Sequence, residues 1–291
     1  MSRRAWLQLL TLAALWGAVY PLIAVALQGF SPVAVVFGRV ALAALLLTPL
    51  AVHRNALRPL WKHPRAIIET VLVQSTAPLL LLAFGQQHVG SGLAGILIGA
   101  QPLFVALLAS RYAPEERPQG WKGRAGLTLG LLGLILIFGV DLRGGQLALA
   151  GGSLVLLAAV CYAGGAIMIH RRHADAPPLG VATSAMLVST AALAIPTAFS
   201  LPAHIPGGRV LAALAVVGVV CTGATLALFY ALIVRIGPAR AALAFYLSPG
   251  FAVTFGAVFL SETITPSAIA GLCAIVVGSL LAAQRTEPTP P

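Results

Sequence analysis

The sequence predicts an all-α membrane protein of ten transmembrane helices, arranged as two inverted five-helix repeats with both termini in the cytoplasm. Three observations lead to this prediction. Hydrophobic residues make up 59% of the 291 positions and charged residues only 9%, whereas soluble domains carry roughly 25% charged residues. The chain contains an internal repeat, and its Lys and Arg residues are unevenly distributed between the segments that connect the hydrophobic stretches.

Ten hydrophobic stretches are each long enough to cross a hydrocarbon core of ~30 Å as a helix that rises ~1.5 Å per residue. They are approximately Ala5–Leu27, Pro32–Val52, Pro64–Gln87, Ser91–Tyr112, Trp121–Val140, Leu147–His170, Leu179–Leu201, Arg209–Val234, Pro238–Leu260 and Pro266–Gln284. The first stretch follows Arg3 and Arg4 and therefore imitates a secretory signal. Its removal would leave the sixth stretch without a partner in the repeat, so we expect it in the mature protein.

The internal repeat relates residues 88–116 to residues 235–263, 147 positions later and without a gap. Each copy has a glycine-rich turn, an apolar helix with a central proline and a carboxylate where that helix ends. The matched pairs are Gly90 and Gly237, Ala94 and Ala241, Pro102 and Pro249, Phe104 and Phe251, and Glu115 and Glu262. Self-similarity of this kind indicates the architecture before any single residue is interpreted. It predicts one five-helix repeat over residues 1–143 and a second over 144–285, followed by a disordered tail, 286–291.

The distribution of positive charge predicts the orientation. With the N-terminus inside, fifteen Lys and Arg residues lie in cytoplasmic segments and two, Arg143 and Arg209, lie outside, which is the usual bias of membrane proteins. Each half has an odd number of helices, so the second half enters the membrane from the opposite side. Loop charge also accounts for the net charge of +11. We expect no nucleic-acid partner, because the chain has no basic helix, zinc spacing or aromatic strand motif.

Four stretches of the chain resemble one family. They are residues 15–17 (LWG), residues 37–45 (FGRVALAAL), the two proline-centred repeat helices, and the pair 115–118 (EERP) and 262–266 (ETITP). In them the chain resembles the drug/metabolite transporter superfamily, specifically the EamA-type ten-helix transporters, which include the YddG-type amino-acid exporters. The resemblance implies a central cavity walled by helices one to four and six to nine, with helices five and ten outside. It also implies transport of a small molecule across a bacterial-type inner membrane.

Prolines inside four predicted helices point to the same central region. Each removes one backbone hydrogen bond and frees the carbonyl group four residues earlier; they are Pro21, Pro78, Pro102 and Pro249. Freed carbonyls are tolerated at membrane depth only against protein or water. A packed kink explains any one of these prolines, whereas four together favour a shared cavity.

Polar and aromatic side chains at this depth are predicted to bind substrate, because a polar group that faces lipid costs several kcal/mol. The predicted substrate-binding residues are Trp16, Tyr20, Arg39, Gln74, Thr76, Gln101, Tyr162, Tyr246 and Ser248. A local role is the alternative for each, since Ser and Thr also bond to their own helix and a tyrosine also packs as an aromatic ring. Arg39 either binds a substrate carboxylate or caps freed carbonyls and holds its helix in place.

Two further groups of residues are expected to be structural. Glu115 and Glu262 are predicted to cap the helices that follow them, which begin near Pro118 and Pro266, because an acid is favourable at a helix N-terminus. The glycines of helices five and ten are predicted to allow close packing; they are Gly126, Gly130, Gly133, Gly271 and Gly278.

An enzyme is not expected, because the membrane stretches offer no nucleophile with a base, no paired carboxylates and no metal spacing. Cys161, Cys221 and Cys273 stand singly in apolar runs and are predicted to pack as small hydrophobes. We expect no cofactor and no metal, and we expect a monomer whose partners are membrane lipid and a small molecule. The acidic residues lie in loops or near span ends. Transport is therefore predicted to be facilitative or exchange-like, with Glu69 as the one exception considered.

The predicted function is export or exchange of amino acids and related small metabolites by alternating access through the central cavity. A wall of Tyr, Gln and Ser side chains with one guanidinium and no embedded acid suits a zwitterion. The alternative is a transporter of neutral metabolites or drugs in either direction, or a channel-like membrane protein.

Overall fold

The computed structural model describes residues 2–112, 120–141 and 145–282, and these residues form a helical bundle without strands. In the first half the helices are α1 Arg3–Ala26, α2 Pro32–His53, α3 Pro64–Gly85, α4 with its two segments Ser91–Ile98 and Gln101–Tyr112, and α5 Gly120–Val140. In the second half they are α6 Gln146–Arg172, α7 Pro178–Ala198, α8 with segments Gly208–Ala215, Val216–Ala224 and Thr225–Ile236, α9 with segments Pro238–Ala241 and Leu243–Leu260, and α10 Pro266–Ala282.

Within the described ranges, nine of these helices are long and apolar enough to cross a membrane. The remaining one, α10, is also apolar but has 17 described residues. The predicted class, an all-α membrane protein, is confirmed. The number of ten spanning helices stays a prediction.

Successive helices run antiparallel, so alternate connections collect at each end of the bundle. We call one end the basic face: α1 begins there, and Arg65 and Arg172 both bind Glu69 there. The other end is the opposite face, where α1 ends and the Ser31 hydroxyl donates to the carbonyl oxygen of Ser200 at 3.1 Å.

The predicted proline kinks differ from one helix to the next. α1 and α9 remain helical through Pro21 and Pro249. In α4 the first segment ends at Ile98, and the next begins at Gln101. The kink predicted at Pro102 is therefore a break in the helix, because Pro102 lacks the N–H that would bond to Ile98 and Gly99 lies at the break. The two segments still form one candidate span, Ser91–Ala109.

Two π-helical segments occupy equivalent positions in the two halves. They are Leu72–Thr76 in α3 and Val216–Ala224 in α8, and the repeat offset of 147 superimposes the first on the second. A π-turn holds one residue more than an α-turn and often marks a functional site. In α3 the segment precedes Pro78. In α8 the equivalent residue is Thr225, whose hydroxyl donates to the carbonyl oxygen of Cys221 at 2.7 Å.

Helices α5 and α10 pack backbone against backbone through their glycines. A Cβ atom added at Gly126 would lie 2.6 Å from the carbonyl oxygen of Gly278, and one added at Gly133 would lie 2.9 Å from that of Gly271. The predicted close packing of helices five and ten is confirmed.

Replacing Gly126 with alanine should therefore destabilise the α5–α10 pair, because the added methyl group has no space unless the helices separate. We expect a cost of about 1–3 kcal/mol, as at other overpacked sites, measured as a lower thermal unfolding temperature of the purified protein in detergent. Gly139→Ala on the same helix is the matched control, since its added Cβ would have no atom within 4 Å apart from its chain neighbours and the backbone of its own helix. Equal losses in the two variants would contradict the packing interpretation.

Candidate functional site

A cavity of about 600 Å³ lies at the centre of the bundle. Its wall is built from α1–α4 and α6–α9, and α10 adds only Ala282. No residue in the described part of α5 lines the cavity. Apart from Ala282, this is the arrangement that the family resemblance implied.

The cavity begins near mid-depth and extends toward the basic face. Helices α4 and α9 determine this shape, because they touch on one side of the kink and separate on the other. Toward the opposite face, Gly95 packs directly against Ala252, and a Cβ added at Gly92 would lie 3.2 Å from the Cα of Val253. Toward the basic face, Val105 and Phe245 both line the cavity. The cavity is therefore closed on the side of the opposite face.

Glu262 strengthens this closure by capping a helix of the other half. Its carboxylate accepts hydrogen bonds from the backbone N–H groups of Ser91 at 2.6 Å and Gly92 at 2.9 Å. These N–H groups have no partner within α4, and the negative charge meets the positive end of the helix. The prediction that Glu262 caps the helix after it is wrong. At the start of α10 that position is taken by Thr265, whose hydroxyl accepts from the N–H of Ala268 at 3.1 Å.

Asp141, at the end of α5, binds side chains at the start of α10. Its carboxylate accepts hydrogen bonds from the hydroxyl groups of Thr265 and Ser267. The predicted capping role of Glu115 lies outside the described residues, as does the stretch 115–118.

Eight of the nine predicted substrate-binding residues line the cavity. They are Trp16, Tyr20, Arg39, Gln74, Gln101, Tyr162, Tyr246 and Ser248. Thr76 is not on the wall: it is buried, and its hydroxyl bonds to that of Ser189 at 2.9 Å. Ser189 also donates to the hydroxyl of Ser75 at 3.2 Å. Thr76 therefore braces α3 against α7.

The kink prolines divide in the same way. Pro102 and Pro249 line the cavity, and Pro21 and Pro78 lie behind its wall. The two wall prolines are the pair that the repeat relates, and they come from the two helices whose separation opens the cavity.

Arg39 is the one charged side chain on the described wall of the cavity. Its Nε donates to the Thr222 hydroxyl at 2.8 Å, and the described residues give it no other hydrogen-bond partner. Both terminal nitrogens of the guanidinium therefore keep their hydrogens for a ligand. Tyr20 and Tyr162 lie near enough to Arg39 to interact with it electrostatically. This part of the cavity presents one positive charge among hydroxyl groups.

Three aromatic rings form an apolar part of the wall. Trp16 stacks on Phe245 with 4.5 Å between ring centroids, and Phe229 lies 5.3 Å from Trp16 and 5.5 Å from Phe245. The sequence interpretation singled out only Trp16 of these three side chains. Phe245 neighbours Tyr246 and carries the carbonyl freed by Pro249, which could have pointed to it. Phe229 has no such signal in the sequence.

The family resemblance placed α8 on the wall, but none of its cavity-lining residues was predicted. Cys221, Thr222 and Thr225 line the cavity. The repeat offset of 147 matches Thr222 to Ser75, which lies beside the predicted kink at Pro78, so the repeat itself could have identified Thr222.

No carboxylate lines the cavity within the described ranges. Glu69 lies at the basic face with its side chain 44% exposed and is bound by Arg65 at 2.9 Å and Arg172 at 3.1 Å. Nearby, partial burial lowers the pKa of His173, whose ring contacts the Thr70 hydroxyl at 3.2 Å. The lowered pKa favours the uncharged form of the His173 ring. The residues that the structure describes contain no cluster of three side chains suited to a metal ion.

Cysteines placed on the wall should report whether the cavity holds water. In a background without Cys161, Cys221 and Cys273, we expect Tyr246→Cys to react with a small thiol reagent faster than Leu134→Cys, and substrate should slow the reaction. Leu134, in α5, is 5% exposed and lies outside the cavity. Equal labelling rates at the two positions would place the water-filled pathway elsewhere.

The fold and the cavity define the class of protein: a multi-pass membrane protein with a central cavity. The sequence model of the EamA-like transporter family matches residues 3–139 and, a second time, residues 149–284. The chain belongs to this family. Its members are transporters, which agrees with the prediction of a carrier rather than an enzyme.

Relatives and a solved structure match most of the chain. The identity is 26% to the probable terminal-alkyne amino-acid exporter of Streptantibioticus cattleyicolor, over 98% of this chain and 95% of that protein. It is 25% to the uncharacterized transporter YoaV of Bacillus subtilis (94% and 95%) and 27% to the uncharacterized inner membrane transporter YedA of Escherichia coli K12 (88% and 83%). A protein of known crystal structure, 18% identical, superposes with a TM-score of 0.69 over 98% of this chain and 100% of its own. This last similarity shows the fold alone.

Proposed function

We propose that the protein exports or exchanges amino acids and related small metabolites across the inner membrane of a bacterium. The observation that carries this proposal is the single guanidinium on the described cavity wall, Arg39, whose terminal nitrogens have no hydrogen-bond partner among the described residues. A guanidinium binds a carboxylate through two parallel hydrogen bonds. Tyr162, Gln101 and Ser248 supply oxygen atoms that accept from an ammonium group. The two related proteins YedA and the S. cattleyicolor exporter support the membrane and the substrate class by their names.

The charge of the cavity favours an amino acid over a lipophilic cation. A cation in this cavity would face Arg39 with no carboxylate on the described wall to balance it. Burying an unbalanced charge costs more than the remaining contacts return. An amino acid brings its own carboxylate and needs only a cationic partner, which Arg39 provides.

We further propose that transport proceeds by alternating access between two inverted five-helix repeats, 1–143 and 144–285. The double match of the family model and the equivalent π-helical segments support two related halves. The excess of Lys and Arg supports a cytoplasmic basic face. On this orientation the described conformation faces inward. Opening to the outside then requires α4 and α9 to part at Glu262 and to close at the basic face.

A second candidate is a transporter of neutral metabolites or drugs. The cluster of Trp16, Phe229 and Phe245 favours it, because aromatic walls bury uncharged molecules well. In this case Arg39 would serve only to hold α2 against α8.

Purified protein in liposomes tests the proposal. Liposomes that contain the protein are loaded with one radiolabelled amino acid and challenged outside with each of the unlabelled amino acids. They should release label faster than protein-free liposomes loaded in the same way. Stimulation by an unlabelled amino acid outside distinguishes a carrier from a channel. If no amino acid leaves faster than from protein-free liposomes while an uncharged metabolite or drug does, the second candidate replaces the first. Accumulation driven by a pH gradient alone would contradict the exchange mechanism.

The orientation has its own test. Reporter fusions after Leu27 and His88 should report the outside, and those after Arg58 and Arg172 the cytoplasm. A fusion after Arg143 that reports the cytoplasm would make the two halves parallel and refute the inverted repeat.

A further inference from the structure

We infer that Thr222 is a positioning residue for the substrate carboxylate, because it holds the guanidinium of Arg39 in place and leaves both terminal nitrogens for the ligand. The inference rests on the proposed function, since it takes a carboxylate as the ligand of Arg39. It assigns a role to a residue of α8 whose own side chain is uncharged.

The first step is the direction of the hydrogen bonds. The Thr222 hydroxyl donates its single proton to the carbonyl oxygen of Val217 at 2.7 Å. Its oxygen is thereby available only as an acceptor, and the Nε–H of Arg39 donates to it at 2.8 Å. The guanidinium is held through the nitrogen that a bidentate carboxylate does not need when it binds the two terminal nitrogens.

The second step is the helix geometry that makes this acceptor available. Thr222 lies five residues after Val217 within the π-helical segment Val216–Ala224. Five is the hydrogen-bond spacing of a π-helix, whereas an α-helix uses four. The wide turn therefore places the hydroxyl on this carbonyl, and a regular α-helix would direct it elsewhere.

The third step is rigidity. Thr222 is 5% exposed, so its hydroxyl has little access to water. Helices α2 and α8 also approach closely here: a Cβ added at Gly218 would lie 2.7 Å from the Cβ of Leu42 and 3.1 Å from the carbonyl oxygen of Arg39. Arg39 is thus fixed by its backbone and by its Nε. A guanidinium held in this way loses little further freedom when a carboxylate binds, which improves affinity.

In the first half of the chain, the hydroxyl equivalent to that of Thr222 does not bind an arginine. The repeat offset matches Thr222 to Ser75, and the Ser75 hydroxyl accepts from Ser189 rather than from an arginine. The anion site therefore lies on one side of the cavity, between α2 and α8. A substrate with one carboxylate has one orientation in which that group is fully bound.

Thr222→Val tests this inference, because valine has nearly the same shape but no acceptor. The assay is exchange in liposomes of the amino acid that the wild type moves fastest, with that amino acid and its amide as competitors. We expect the half-saturating concentration to rise about tenfold, which corresponds to about 1.4 kcal/mol, with a smaller change in maximal rate. The preference for the acid over the amide should fall by a similar factor, and Thr222→Ser should restore it.

Thr183→Val is the matched control. Thr183 is also buried and its hydroxyl also donates to its own helix, to Leu179 at 2.8 Å, but it does not line the cavity. This variant should keep the wild-type preference for the acid over the amide. In an Arg39→Ala background, Thr222→Val should cause no further loss of this preference, because the two residues then act as one unit.

The outcomes separate the inference from the function on which it rests. A Thr222→Val variant that exchanges more slowly but keeps the full preference for the acid would overturn the inference alone, since a merely structural role predicts that result. A further loss of preference in the Arg39→Ala background would also overturn it. A wild type that exchanges none of the amino acids would refute the proposed function and the inference together.

Discussion

Replacing Arg39 with alanine should reduce amino-acid exchange at subsaturating substrate by at least ~100-fold, because two charge-assisted hydrogen bonds of about 1.5–3 kcal/mol each are lost. The alanine variant also leaves the substrate carboxylate in the cavity without a cationic partner, since Arg39 is the one charge on the described wall. The measurement is the initial rate of exchange in liposomes that contain equal amounts of folded protein. Arg39→Lys should exchange amino acids at a rate between those of the wild type and Arg39→Ala, because lysine keeps the charge but not the planar pair of donors.

The control for Arg39 is a second arginine far from the cavity. Arg65→Ala removes a side chain that is 92% exposed at the basic face and whose one ion-pair partner in the described part of the chain is Glu69, at 2.9 Å. It should exchange amino acids at nearly the wild-type rate, since exposed ion pairs contribute little to stability. Arg39→Ala protein that elutes as wild type in gel filtration and still exchanges amino acids at the wild-type rate would remove Arg39 from the binding site.

Replacing Glu262 with glutamine should open the closed end of the cavity. The amide has lost the negative charge and places a donor group near the N–H groups of Ser91 and Gly92, which now have a carboxylate at 2.6 and 2.9 Å. We expect the closed arrangement to lose about 2 kcal/mol or more. Such a loss shifts an equilibrium between two conformations about thirtyfold toward the open one.

Spin labels at Gln87 and Thr263 would measure this shift. Both residues are exposed at the opposite face, one before α4 and the other between α9 and α10. Pulsed electron paramagnetic resonance should show one short distance in the wild type and an added, longer distance in Glu262→Gln. Glu69→Gln, at the basic face, should leave the distribution unchanged. An unchanged distribution in Glu262→Gln would mean that the contact between Gly95 and Ala252 is sufficient to keep this end closed.

The position of the cavity could be predicted from the sequence because lipid penalises polar groups and broken backbone bonds. Gln101 beside Pro102 and Ser248 beside Pro249 carry both features, and both residues line the cavity. Eight of the nine predicted residues lie on its wall, although their part in binding substrate stays a prediction. The internal repeat also related the region of Pro102 to the region of Pro249 from the sequence alone.

The errors have a common cause, since they concern contacts between distant parts of the chain. Glu262 was assigned to the nearest helix start, whereas tertiary packing brings the start of α4 to it. Thr76 lies at the same depth in the membrane as Gln74, but depth alone does not determine which side of α3 a side chain faces. Phe229 reaches the wall only because α8 crosses α1 near Trp16. Periodicity and local propensity contain none of this information.

The π-turn of α3 also sets the rotational phase of that helix. One extra residue corresponds to about 100° of rotation at ~3.6 residues per turn. With that residue in place, Gln74 and Leu82, on the two sides of Pro78, face the same cavity. Deleting a single residue from Leu72–Thr76 would straighten the turn and rotate one half of α3 against the other, so that polar wall residues would face lipid. Evolution can therefore exchange side chains here more easily than it can change the length of this helix.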